Sequence, residues 1–513
     1  MAKLLARLSL LLAISLTAGC ASIDFDYPKS ESFVLADTGN TYLGRGVSDF
    51  VAAHPPDQSG FYPVYDGIDS LALRLLMAER AERSIDAQYF LIHGDLVGRV
   101  FINSLLKAAN RGVRVRLLVD DIQAEGYDDA FATLDSHENF EVRIFNPFAH
   151  RTARALDAPS MSRISRRMHN KSFTVDNQMT LIGGRNIANE YFDANPGEKF
   201  GDLDVLAIGP VVPEVSNMFD SYWNHRASMP ILALADVPEN AEEALATFSE
   251  IVAESLEEVA ASKYADAVRS SLLNFVQTDA GAFIWAEYDL VFDSPDKAIP
   301  AESETAALIT TQLRESIIDV EEEVFVVTPY FVLRKDNFEG FRELRNKNIE
   351  ITVLTNSLAS NNHTVSHSGY AAIRKDMLEM GVNLYELRAS QSIPADESAG
   401  VQDAKTTLHA KAFAVDRKKI FIGSFNWNQR SANLDTELGV IIHSPQIAAQ
   451  MVERVTTALP TASFEVFLNE KDDLRWRGHE DSQEVIVENE PQTSFWHRFN
   501  AGFLRMLPIK SQL

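Results

Sequence analysis

A chain of 513 residues, 46% of them apolar, has room for roughly two to four average domains and for large cores. Its formal net charge of −26 argues against a general nucleic-acid coat protein, which needs a basic footprint, and denies it attachment to an anionic membrane through overall charge. Cys20 is the single cysteine, which excludes an internal disulfide and a thiolate metal cluster.

The N-terminus reads Met1-Ala2-Lys3-Leu4-Leu5-Ala6-Arg7, then an apolar run over 8–16, then Thr17-Ala18-Gly19-Cys20. A basic start, a short apolar core and small residues predict a secretory signal over residues 1–19, too short to span a bilayer as a mature helix. Cys20 after Ala-Gly resembles a bacterial lipobox, in which the signal is cut before the cysteine and the thiol takes a lipid. Thr17 departs from the leucine usual at that position, and the competing reading is an ordinary cleaved signal with an incidental cysteine. Ala21 in place of Asp leans toward the outer membrane by the usual bacterial sorting pattern. The expectation is a lipid-anchored protein of the bacterial cell envelope, at the outer membrane and facing the periplasm. An acyl anchor would hold an acidic protein at a membrane without electrostatic help.

Residues 20–60 read as a tether that becomes an N-terminal docking arm, short on periodicity and with turn formers at His54-Pro55-Pro56-Asp57. The spacing then predicts a helix over 70–83, a strand over 84–92, a helix over 96–110 closed by Gly112, and a near-continuous apolar strand over 113–119. This is a βαβ pattern, which favours a parallel or mixed sheet covered by helices. Residues 236–275, rich in Ala and Glu, predict helices with a solvated acidic face rather than a metal site. The order then repeats: helix 305–318, strand 324–327, helix 338–346, strand 349–354, helix 369–380, strand 382–387. A first domain over 61–230, a helical connector over 231–295 and a second domain over 296–513 follow. A polar stretch over 469–490 precedes Phe495, Trp496, Phe499 and Phe503, which share one helical face. That face suits either an interfacial helix or a last helix docked on the core.

One string occurs twice. His169, Lys171, Asp176, Gly183 and Asn186 match His409, Lys411, Asp416, Gly423 and Asn426 with no change in spacing, 240 residues apart. That offset is the duplication of a whole domain rather than a short repeat. Each copy reads as strand, turn, strand, with His and Lys side by side because side chains two apart point the same way. Lys as a compact cation and Asn as a neutral donor suit a phosphate-like group, and Gly184 and Ser424 lie where the backbone passes close to it. Asp176 and Asp416 complete the catalytic string but sit at the far side of the turn, where they read as structural ties. The carboxylates Glu437 and Asp202, equivalent in the two copies, are candidates to accept the Nδ1 protons of His409 and His169. Arg151, Arg154, Arg163, Arg166 and Arg167 form a basic run that reads as a headgroup entry site or as solvated charge. His363 and His367, with Ser357 and Asn361, read as a polar loop at a strand end, in reach of substrate or simply exposed.

The doubled His-x-Lys-x4-Asp string, followed by Gly-Gly or Gly-Ser and x-Asn, resembles the phospholipase D superfamily. The likeness covers most of the chain beyond residue 65. Ala87-Gln88-Tyr89, Asn146-Pro147-Phe148, Asn189-Glu190-Tyr191-Phe192-Asp193 and Leu507-Pro508-Ile509 are similar to the bacterial cardiolipin synthase C group. The resemblance implies an α/β fold: two tandem phospholipase D-like domains, each a mixed sheet flanked by helices, in one pseudo-twofold bilobal unit. It implies a phosphatidyl transferase that moves a phosphatidyl group to phosphatidylglycerol through a phosphohistidine, with His169 as nucleophile and His409 as acid and base. Lys171, Lys411, Asn186 and Asn426 would hold the equatorial oxygens, with no metal and no cofactor. Phospholipids and a membrane are the implied partners, no nucleic acid is expected, and the oligomeric state stays open. A hydrolytic phospholipase D is one alternative and a secreted phosphodiesterase or nuclease another.

Overall fold

The computed structural model describes residues 23–195, 197–277, 282–334, 338–389, 405–480 and 483–504. The signal, Cys20 and the Leu507-Pro508-Ile509 ending lie outside the described residues.

Among the described residues, 18 strands join into one mixed sheet whose order runs the same way outward from its middle, and two more, Glu198–Gly201 and Lys405–Leu408, pair apart from it. From the first edge it passes through Ser228–Pro230, Phe140–Phe145, Arg114–Asp120 and Ser84–Tyr89. It continues through Ser172–Val175, Met179–Gly183, Asp204–Ile208 and Gln58–Val64. Gln58–Val64 pairs antiparallel with Ile284–Phe292. The mirror order then runs through Leu438–Ile442, Lys419–Gly423, Ala412–Val415 and Glu323–Val327. Glu350–Asn356, Asn383–Leu387 and Ser463–Leu468 complete it. Each half thus has three parallel strands, the motif hairpin and an antiparallel edge, which is the tandem α/β architecture the duplication implied.

Local chemistry explains the covering helices. Asp66 and Asp95 cap the helices Gly67–Arg80 and Leu96–Asn110 by accepting from first-turn amides. The second helix turns Phe101, Leu105 and Ala109 onto the sheet, where Phe101 meets Tyr89 and Phe173 edge-on. Truncating the fully buried Phe101 to Ala costs about 3–5 kcal/mol by cavity formation.

Several expectations need correction. The arm carries its own helix, Tyr42–Ala52, capped by Thr41, and its last residues already begin the central strand. The helix expected over 305–318 starts only at Ile309, because 301–306 is a run of turns. The helix expected over 369–380 is two, Thr364–Ala371 and Arg374–Glu379. Most of the polar stretch over 469–490 is a hairpin, Leu474–Glu480 and Gln483–Val487, that extends the second half's sheet edge. Its charges hid the strand pattern: Trp476 is buried and donates to Glu386 while Arg475 and Arg477 reach acidic neighbours. The connector helices Ala241–Val259 and Lys263–Gln277 pack on the first half, with Ser249 on Asn103, Tyr264 on Phe192 and Ser271 on Asp69.

Candidate active site

Each motif hairpin turns on two residues with positive φ, Asp176 and Asn177 at 52° and 50°, and Asp416 and Arg417 at 52° and 50°. That is the mirror-image turn whose twist suits a tight hairpin, and Asp and Asn tolerate it. The Asp176 carboxylate accepts from the amides of Glu82, Arg83 and Ser84 at 2.7–3.3 Å. Asp416 accepts from Glu321, Glu322 and Glu323 at 2.8–3.0 Å. Both aspartates therefore pin the hairpin to the start of the neighbouring parallel strand, and neither carboxylate turns to the histidines.

The histidines meet their carboxylates across the halves. His169 Nδ1 lies 2.9 Å from Glu437 Oε2, and His409 Nδ1 lies 2.6 Å from Asp202 Oδ2. Backbone pairing forces this crossing. Glu198–Gly201, which leads into Asp202, runs parallel to Lys405–Leu408, which leads into His409. Met168 pairs in the same sense with Thr436, the residue before Glu437. The amides of His409 and His169 complete the seam, donating to Gly201 O at 2.7 Å and Thr436 O at 2.9 Å.

Gly184 and Ser424 serve these carboxylates. A Cβ at Gly184 would sit 2.2 Å from Asp202 Oδ1, so only glycine admits the carboxylate there. The Ser424 hydroxyl donates to Glu437 Oε2 at 2.5 Å and accepts from the Leu438 amide at 3.0 Å. Both were expected at the phosphate itself; the structure puts them behind the dyads, where they fix the carboxylates.

Lys171 donates to its own His169 carbonyl at 2.6 Å, with its ammonium over the Phe90 ring. Lys411 Nζ lies 3.1 Å from His409 Nε2. One N–H of the Asn186 amide donates to the Tyr191 hydroxyl at 3.0 Å. That hydroxyl stands 3.5 Å from His409 Nε2. The Oδ1 atoms of Asn186 and Asn426 are buried without a hydrogen-bond partner among the described residues. Aromatic rings wall the centre: Phe90 meets His169 edge-on, Tyr191 meets His409 edge-on, and Phe200 stacks on His409. Phe90 and Phe200 carry no local pattern that marks them as site residues, and Tyr191 stands out in the sequence only through the family likeness of its stretch.

Burial governs the charges. It lowers His409 to about 3, helped by Lys411, and it lowers His169 well below the usual imidazole range with Lys171 and Lys411 adding repulsion. Both rings are therefore neutral before an anion arrives. Burial also brings Lys411 down to about 8 and Lys171 far below the usual amine range. The two carboxylates part company. Burial pushes Glu437 up to about 7 against the pull of Lys171. Asp202 is as deeply buried, but His409, Lys411 and Arg185 outweigh the burial and hold it below the usual carboxylate range.

The remaining candidates lie elsewhere. In the basic run, Arg151 pairs with Asp121 and Asp128, Arg154 with Asp121 and Arg167 with Asp120. Arg163 donates to Asn146 and Pro147, and Arg166 to the carbonyls of Lys297 and Asn433. These guanidiniums hold the halves and loops together instead of forming an open entry site. His367 is buried beside Glu490 at 3.5 Å, and Ser357 and Asn361 close a local turn with Ser360 and His363. Among the described residues, the groups able to hold a metal contain no motif residue.

A centre of two buried His-carboxylate dyads with two lysines between them defines a phosphodiester-transfer fold of the phospholipase D type. The family described as "Cardiolipin synthase, PLD-like domain" matches residues 75–223 and 313–457, one match on each half, and the chain belongs to this family. It is similar to "Cardiolipin synthase C" of Escherichia coli (strain K12), 38% identical over 472 residues, covering 91% of this chain and 99% of that protein. "Cardiolipin synthase A" of Pseudomonas syringae pv. syringae (strain B728a) is 25% identical over 77% of this chain and 67% of its own length. Among solved structures, phosphatidylserine synthase of Haemophilus influenzae Rd KW20 shares the fold, with a TM-score of 0.56 at 12% identity, over 88% of this chain and 95% of that one.

Proposed function

We propose that this chain is a phosphatidyl transferase that makes cardiolipin. The observation that carries the reading is the crossed pair of dyads, which gives one centre two oriented, neutral imidazoles and two lysines. In the first step His169 Nε2 attacks phosphorus, the bond to the leaving headgroup oxygen breaks, and His409 Nε2–H hands that oxygen its proton. The negative phosphodiester offsets the burial and the Lys411 charge that otherwise keep His409 unprotonated. In the second step His409 takes the proton of an incoming hydroxyl, whose oxygen attacks phosphorus as the P–N bond to His169 breaks. Lys171 and Lys411 hold the equatorial oxygens, while Glu437 and Asp202 keep each imidazole in one tautomer. The order of the two histidines rests on the family resemblance. Phosphatidylglycerol is the acceptor that the family resemblance implies.

The setting is a lipid surface. The helix Phe495–Leu504 leaves Phe495, Trp496, Phe499 and Phe503 more than half exposed, which favours contact with a bilayer interface. Anchoring through Cys20 in the bacterial envelope, at the outer membrane, is the matching proposal. No helix among the described residues is long and apolar enough to cross a membrane.

Purified protein supplied with phosphatidylglycerol, with and without phosphatidylethanolamine, tests the reading. Cardiolipin among the products supports transfer. Phosphatidic acid alone assigns the same centre to hydrolysis, with water as acceptor. DNA cleavage without lipid turnover overturns both, against the direction in which the acidic net charge points.

A further inference from the structure

The reverse face of the second motif strand is hollow. Leu408, Ala410 and Ala412 alternate with His409 and Lys411 along an extended chain, so their side chains face away from the phosphate centre. They line a cavity of about 280 Å³ that Val327, Leu354 and Leu387 close from the sheet, and Met451, Val455 and Leu459 from the helix Pro445–Ala462. The cavity also reaches Gly201 and Asp202, the chain that orients His409.

The duplication supplies an internal comparison. In the first half, the positions of Leu408 and Ala410 are Met168 and Asn170, both fully buried. The helix Val211–Trp223, which follows its strand as Pro445–Ala462 follows Leu438–Ile442, packs Met218, Tyr222 and Trp223 into that space. Asn170 reaches Met218 Sδ at 3.8 Å and accepts from Thr436, and the Tyr222 hydroxyl donates to Asp293 O at 2.6 Å. The second half has Ala410, Ala412, Ala458 and Ala462 around the same space, and no side chain of the described residues fills it. Interiors pack densely, so a hollow of this size beside a well-packed twin is a binding site in form.

Its mouth is polar. Arg454 is exposed, with its guanidinium 4.8 Å over the Tyr65 ring, and the Tyr65 hydroxyl, buried beneath it, has no hydrogen-bond partner among the described residues. An aliphatic hole with a cation and an unpartnered hydroxyl at its rim matches an anionic single-chain amphiphile. We propose that this cavity binds one acyl chain carrying an anionic head at Arg454 and Tyr65, apart from the phosphate centre and separated from it by the thickness of the motif strand. At roughly 30 Å³ for a water-sized group, it holds about ten chain carbons. A chain seated there touches both Asp202 and the strand of His409, so its presence is felt by the dyad.

The test is equilibrium dialysis of the full chain with radiolabelled dodecanoate below its micellar concentration. One dodecanoate per chain is expected, with affinity lowered by about tenfold or more in Ala458→Trp, whose indole, placed on the exposed side of the wall, would cover the opening. Arg454→Ala is expected to weaken binding, and His169→Ala to leave it unchanged, since the site does not depend on the reaction. Ala462→Phe, from the same wall, repeats the measurement where Ala458→Trp does not fold. A parallel arm with 1-lauroyl lysophosphatidylglycerol names the head, because the tighter probe identifies a carboxylate or a phosphodiester. Absence of saturable binding, equal binding to both wall variants, or loss in His169→Ala alone overturns the proposal. None of these outcomes bears on whether cardiolipin is made.

Discussion

His409 Nδ1 lies 2.6 Å from Asp202 Oδ2, across the boundary between the two halves, while Glu437, which follows His409 in sequence, faces His169 instead. Each half therefore owns an imidazole whose tautomer the other half sets. The parallel pairing of Glu198–Gly201 with Lys405–Leu408 makes this arrangement a consequence of backbone geometry rather than of side-chain choice. Neither half has an oriented histidine by itself, so the duplication has become one indivisible centre.

Asp202→Asn keeps the shape of the dyad but removes the charge that faces the His409 Nδ1 proton. The expected loss in kcat is on the order of 10²–10⁴-fold, with KM little changed, because the damage is to proton transfer and not to binding. Steady-state kinetics on vesicles checks it. A cycle with His409→Ala should be strongly non-additive, and simple additivity would sink the crossed assignment.

The repeat spacing, the parallel strands and the carboxylate pair were legible in the sequence because each follows from a local pattern or from comparing one copy with the other. The crossing was not legible, since it depends on strand pairing between segments about 200 residues apart, which no local spacing encodes. Tyr191, Phe90 and Phe200 were missed for a similar reason: an aromatic residue reads as core until its neighbours are known. The arginine run was read for its charge, yet Asp120, Asp121 and Asp128 that neutralise it sit far away in the chain.

Asp176→Ala and Asp416→Ala separate stability from chemistry. Each leaves three backbone amides without their acceptor. Asp176 is fully buried and Asp416 only partly. The expected cost is about 2–4 kcal/mol for Asp176→Ala and distinctly less for Asp416→Ala. Thermal melting should rank them in that order, with kcat below the melting range close to wild type. A hundredfold drop in kcat with unchanged melting would return the aspartates to the chemistry.

Ser424→Gly and Gly184→Ser probe the two halves' different support of their carboxylates. Removing the Ser424 hydroxyl takes a donor from Glu437, which raises its pKa further and moves the acid limb of the rate profile to higher pH. Gly184→Ser forces Asp202 away from His409, because even a Cβ lies 2.2 Å from its Oδ1. A larger loss of kcat in Gly184→Ser than in Ser424→Gly is expected, and the reverse ranking would contradict this geometry.

The exposed aromatics of Phe495–Leu504 predict that Trp496 enters the lipid. In vesicles whose acyl chains carry bromine, the wild-type fluorescence should be quenched, and Trp496→Phe should remove most of that quenching. Phe499→Ser should lower turnover of vesicle substrate while sparing a short-chain soluble phosphodiester. Equal quenching in wild type and Trp496→Phe would leave this helix without a membrane role.

Glu437 and Lys411, whose shifted values lie nearest neutrality, set a narrow pH window. Glu437 accepts the His169 Nδ1 proton only when ionised, and burial places its titration at about 7, so kcat/KM should rise as pH climbs through that value. Lys411 supplies charge to the phosphoryl oxygens only when protonated, and burial places its loss of the proton at about 8, so the rate should fall above it. The free enzyme is then at its best between the two, where Glu437 is already an anion and Lys411 still a cation. Both limbs come from burial of the same centre, and a bound phosphodiester favours the charged lysine, so the alkaline limb of kcat should lie above that of kcat/KM. Glu437→Asp, which shortens the reach to His169, should lower the plateau and displace the acid limb while leaving the alkaline limb in place. An acid limb unmoved by both Glu437→Asp and Ser424→Gly would assign it to a different group.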